Sequence, residues 1–123
     1  MPFPRLTERS VTIASGQASS AVVDTKQEPL VGVRMPATWT DAHLVVEDSP
    51  DGISFQSIYS RDYDQLRVRC PAGGSYPGAH TVYFSPIEIA CSRYVRVRST
   101  NSASNADLNQ GALRTLTLIT KDA

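Results

Sequence analysis

Apolar residues fall mostly on alternate positions along this chain, in short runs divided by polar and turn-forming clusters. "SVTIAS" puts Val11 and Ile13 on one face. "AVVD" and "LVGVRM" follow, divided by the polar residues from Asp24 to Glu28 and by Pro29. "HLVVED" sets Leu44 with Val46, "FQSIYS" sets Phe55 with Tyr59, and "LRVRC" aligns Leu66, Val68 and Cys70 against Arg67 and Arg69. "HTVYFS" joins Val82 to Phe84, "RYVRVRS" opposes Val95 and Val97 to Tyr94, Arg96 and Arg98, and "LRTLTLIT" gives Leu116 and Leu118 one face. A period of two marks half-buried strands, because successive side chains leave a strand on opposite faces. About nine short strands result, rich in Val, Ile, Thr and Tyr.

No stretch carries a helical apolar stripe of useful length, although "PATWTDA" at 36–42 has room for one helical turn. Regular short strands between turn signals predict an all-β fold, a single antiparallel β-sandwich of jelly-roll or discoidin-like type. Alternation assigns Val11, Ile13, Leu44, Val46, Leu66, Val68, Val82, Phe84, Val95, Val97, Leu116 and Leu118 to its core.

Turn chemistry sets the connections. Asp51-Gly52, after Ser49-Pro50, predicts a hairpin between strands at 43–48 and 54–60, since Gly takes positive φ cheaply and Asp bonds its own backbone. The polar segments 71–79 and 100–111 read as loops at the sandwich ends. Residues 1–8 carry Pro2 and Pro4 and little that packs, so they are expected as an extended N-terminal arm ahead of one domain at 9–123.

Composition narrows the function classes. The chain has 123 residues, of which 41% are hydrophobic, which suits one core. Twelve basic residues balance twelve acidic ones, against the basic excess of a nucleic-acid binder. No apolar run is long enough to cross a bilayer, and the start lacks the basic and apolar regions of a secretory signal, so cytoplasmic synthesis is expected. Cys70 and Cys91 fit no zinc spacing and read as buried free thiols rather than a bridge.

Candidate chemistry is sparse. "GGSYPG" lacks the spacing of a nucleophile elbow, which leaves Ser75 as a turn residue. His43 and His80 have no acid–base context, and no phosphate-cradling or dinucleotide motif is present. Asp48, Asp51, Asp62 and Asp64 match no calcium loop and read as solvated turn carboxylates. The expectation is therefore a protein that is not an enzyme and uses no cofactor or metal.

The arginines say more. Arg67 and Arg69 share one strand face, as do Arg96 and Arg98, with Arg34 and Arg61 as possible additions. They are either a solvated face that guards an edge or a contact surface, since the guanidinium forks carboxylates and is enriched at interfaces. Trp39, the only tryptophan, precedes a core strand; core packing is its default reading, with a glycan-stacking platform, beside Tyr76, as the alternative.

"SPDGISFQSIYS" with "SRYVRVRS" resembles the discoidin-like, or galactose-binding-like, β-sandwich. Ser49, Asp51, Gly52 and Phe55 match its hairpin element, with Phe55 where tryptophan is more typical. Arg93, Tyr94, Val95 and Arg96 match its Arg-Tyr-hydrophobic-Arg strand. As a whole the chain is similar to small β-sandwich virion proteins of tailed bacteriophages, in its Ser-rich opening, its "MPATW" segment and its Thr-Leu final strand. That resemblance implies a structural role on the particle: a capsid decoration or cement protein, homo-oligomeric, bound to the major capsid protein or other virion proteins. Phe3, Arg67, Arg69, Arg96 and Arg98 are its contact candidates. The alternative is a carbohydrate-binding module, or a head-fibre or tail protein, recognising a host glycan through Trp39 and Tyr76.

Overall fold

The computed structural model describes residues 5–26, 28–40, 42–59, 65–69, 76–84, 93–101 and 106–121. Each alternating run of the sequence yields a strand: β1 (Leu6–Ile13), β2 (Val23–Asp24), β3 (Leu30–Met35), β4 (His43–Ser49), β5 (Gln56–Ser57), β6 (Arg67–Val68), β7 (His80–Tyr83), β8 (Tyr94–Thr100) and β9 (Arg114–Lys121). The described residues contain no helix. The segment 36–40, where one helical turn was expected, is instead irregular and carries Trp39 into the core.

The strands form two antiparallel sheets. One has the order β1-β9-β3-β7; the other runs β2-β8-β4-β5, with β6 also paired to β4. The long strands at the two ends of the sequence lie side by side, Leu6 opposite Lys121 and Ile13 opposite Arg114. In the second sheet β4 and β8 pair from His43–Thr100 to Ser49–Tyr94. The inner faces meet in one core, to which β1, β3 and β9 give Val11, Ile13, Leu30, Val33, Met35, Leu116 and Leu118. From the other side come Leu44, Val46, Val68, Val95 and Val97, with Ile58 and Trp39 beside them. Burying each such side chain contributes about 1.5–3 kcal/mol, which makes this packing the main source of stability.

Nine of the twelve residues assigned to the core by alternation are fully buried, and Leu66, Val82 and Phe84 pack against it only partly. Those three lie on or beside β6 and β7, short strands at the sheet margins, where neighbours are missing on one side. Gly32 is a packing requirement of β3. A Cβ there would stand 2.7 Å from the Val82 carbonyl oxygen and 3.0 Å from the Tyr83 ring, so only glycine lets β7 approach.

The sandwich begins earlier than the sequence pattern implies. Leu6, Thr7 and Glu8, assigned to the arm, belong to β1 and pair with Lys121, Thr120 and Ile119. Backbone pairing needs no amphipathic pattern, and β9 is long enough to supply partners over all of β1. Residues 1–4, and with them Phe3, lie outside the described residues.

Candidate functional site

The side chains that carry the family resemblance and the arginine pattern meet on the outer face of the β4–β8 pair. Val95 and Val97 point inward and are fully buried, so the pleat turns Tyr94, Arg96 and Arg98 outward. Glu47 stands directly opposite Arg96 across the strands. Arg96 Nε donates to Glu47 Oε1 at 2.8 Å, and Arg98 Nε donates to Glu47 Oε2 at 3.2 Å. Arg98 also reaches Asp107 Oδ1 through Nη1 at 2.8 Å. One carboxylate thus receives two guanidinium groups, and it does so under cover: the Glu47 side chain is 8% exposed and that of Arg98 12%.

Aromatic rings extend the ladder. The Arg96 guanidinium lies 4.4 Å from the centre of the Phe55 ring, and that of Arg93 lies 5.1 Å from the centre of Tyr94. Arg93 also spans to Asp24, whose carboxylate is held below the usual carboxylate range by the Lys26 backbone N–H and then by Arg93. This stacked and paired layer explains why β4 is buried on both faces, with Val45 fully covered although it points away from the core.

The hairpin predicted at Asp51-Gly52 is present and locked to the same face. Glu47 pairs with Ser57 and Asp48 with Gln56. Ser49 Oγ donates to Asp51 Oδ1 at 2.8 Å and accepts the Gly52 N–H at 2.9 Å. Asp51 Oδ1 accepts the N–H groups of Ile53 and Ser54, at 2.9 and 3.1 Å. Those two backbone donors, followed by Ser49, lower the Asp51 carboxyl from its ordinary range. Gly52 takes φ of +79°, and a Cβ on it would lie 3.5 Å from the Tyr94 ring. The two matched sequence elements are therefore in mutual contact, Gly52 on Tyr94 and Phe55 on Arg96. The turn presents Ile53 to solvent, 83% exposed.

The other candidates divide differently. Arg69 is exposed and makes no ion pair among the described residues, while Arg67 is half-buried, its Nε without a hydrogen-bond partner. Trp39 is buried and donates Nε1–H to the Ala42 carbonyl at 3.0 Å, so its indole is a core group. The Tyr76 hydroxyl donates to the Pro36 carbonyl at 2.6 Å, and the ring packs partly on the core and edge-on to His80. The Trp39 indole is thus used in folding, while Tyr76 stays half-buried with its hydroxyl bonded to the backbone. Asp51 is a turn carboxylate as expected. Among the described residues no cluster of three or more His, Cys, Asp or Glu is placed to hold a metal ion. Ser75, Cys70, Cys91, Arg61, Asp62 and Asp64 lie outside the described residues.

Two groups carry more of the structure than the sequence pattern shows. Glu47 sits in "HLVVED" as an ordinary outward polar residue; the signal was its register opposite a strand written Arg-x-Arg. Gln110 lies in a polar loop yet is fully buried. Its Oε1 accepts the Thr40 N–H at 2.9 Å and Arg114 Nε at 3.1 Å, and its Nε2 donates to Ser99 Oγ at 2.8 Å. Its backbone accepts from Gly16 N–H and donates to the Gln17 carbonyl. One side chain and its peptide groups thus join the loops near residues 16, 40 and 110 to the end of β8 at Ser99. No family model, curated protein or solved structure matches the chain.

Proposed function

We propose that this chain is a non-enzymatic structural protein of a tailed-bacteriophage virion, a capsid decoration or cement protein that binds the major capsid lattice and works as a homo-oligomer. The observation that carries the reading is where the polar side chains go. Glu47, Asp51, Asp24, Gln110 and Arg114, the groups with most chemical potential, are bonded to their own chain. They make a stiff double-layered body whose outward offerings are contact groups: the exposed Arg69, the hairpin tip at Ile53 and the long outer edge of β1. The sequence resemblance supplies the particle as the setting. Because Arg96 and Arg98 are occupied by Glu47, the arginine contacts with the capsid fall to Arg67 and Arg69, with Phe3 as the apolar anchor.

The test is binding of the purified protein to particles that lack it. Saturable binding that weakens as salt is raised and that is reduced by Arg69→Ala supports the reading. Failure to bind such particles, together with specific retention on a glycan array, would replace it by the carbohydrate-binding alternative.

A further inference from the structure

We propose that β1 is a self-pairing edge through which two copies of this chain join into one continuous sheet across a twofold axis. The observation is the contrast among the sheet margins. Among the described residues, β2, β5 and β6 have two residues each and β7 has four, whereas β1 has eight and lies at the end of its sheet. Short edge strands are one way proteins keep unpaired N–H and C=O groups from templating another chain. β1 has no proline within it, and its register with β9 runs from Leu6 to Ile13 without a bulge. Its one inward charge, Arg9, is tied to Glu28 at 2.9 Å, where it does not guard the edge.

The partner is a second copy because the side chains favour one long self-complementary register. Antiparallel neighbours share a face, so a twofold axis through the sheet must pass through a residue of β1 rather than between two. Centres at Glu8 or Arg9 set that charge against itself, which is destabilising. A centre at Val11 overlaps only Arg9 to Ile13. A centre at Ser10 overlaps Thr7 to Ile13, sets Glu8 against Thr12 and Arg9 against Val11, and opposes no like charges. It also brings Leu6, an apolar residue left 54% exposed, against the exposed Ala14 of the second copy. The pairing does not rest on the virion reading and holds wherever the protein works.

Sedimentation velocity over a concentration series tests it on the full chain. The expected result is a monomer–dimer equilibrium in which Ser10→Lys raises the dissociation constant about tenfold or more, with an unchanged monomer melting temperature. Ser10 is exposed, so this variant spares the core. Register is read with a short bis-maleimide in a Cys70→Ser, Cys91→Ser background. Ser10→Cys should link to itself; Glu8→Cys and Thr12→Cys should link when mixed and poorly alone. A monomer at every concentration, a dimer indifferent to Ser10→Lys, or equal linkage at all three positions would overturn the proposal.

Discussion

The Arg96 guanidinium is stacked on Phe55, 4.4 Å from the ring centre, and in that position its Nε meets Glu47 at 2.8 Å. The ring fixes the plane of the guanidinium, and the plane sets which carboxylate oxygen it addresses. Removing the carboxylate leaves Arg98, mostly buried, facing a void with its charge uncompensated on that side. Glu47→Ala is expected to cost about 3 kcal/mol, the lower end for breaking a buried pair, because Arg96 retains some solvent. Phe55→Leu should cost about 0.5–1 kcal/mol beyond its change in packing. Urea unfolding of Glu47→Ala, and of Phe55→Leu with and without Arg96→Ala, measures both, and additive losses at Phe55 and Arg96 would show that the stacking is incidental.

Lysine substitution separates the arginines by role. Arg96→Lys with Arg98→Lys should lower stability by about 1–3 kcal/mol per lost contact, since an ammonium cannot reproduce these planar hydrogen bonds. Arg67→Lys with Arg69→Lys should leave the melting temperature nearly unchanged and weaken binding to particles. The check is thermal melting beside particle binding for the two pairs, and a reversed pattern would move the contact surface to Arg96 and Arg98.

Acid should loosen the hairpin before it reaches the core. The Asp51 carboxyl is held low by the Ile53 and Ser54 N–H groups, and those of Asp24 and Glu28 are lowered too, chiefly by the Lys26 N–H and by Arg9 respectively. A carboxyl with a depressed folded-state pKa adds stability above its unfolded value, and that stability is lost as pH falls through the folded value. Melting temperature should therefore hold steady near neutrality and decline once pH drops below about 4. Asp51→Asn keeps an acceptor oxygen and removes one titration, so its decline should be shallower; parallel curves would contradict the assignment.

Most of the architecture was legible because alternation reports directly on a two-faced sheet. Val95 and Val97 against Arg96 and Arg98 placed β8 and its inner face correctly. The hairpin followed from Ser49, Asp51 and Gly52, whose local bonding needs no tertiary information. What stayed hidden depends on partners distant in sequence. Leu6 to Glu8 are strand only because β9 lies beside them. Glu47 is a hub only in register with β8; Trp39, by contrast, is in the core as its place just ahead of a core strand suggested. The arginine pattern was visible, but the carboxylate it answers on its own chain was not.

Gln110 should behave as a core residue in spite of its polar loop. Gln110→Leu keeps its bulk and strips partners from the Thr40 N–H and the Ser99 hydroxyl, at about 1–3 kcal/mol for each buried group left unsatisfied. Hydrogen exchange should rise near residues 16, 40 and 110 together, whereas protection in β4 and β8 should stay. Faster exchange confined to residues next to 110 would show that the loops are held separately.

The most direct measurement of the proposed role is the copy number of this chain on purified intact particles, by quantitative mass spectrometry against the major capsid protein. A decoration protein should be present in a fixed ratio to the capsid subunit, reproducible between preparations and restored when the purified chain is added to particles lacking it. Absence from gradient-purified particles, or a trace that varies between preparations, would contradict the account.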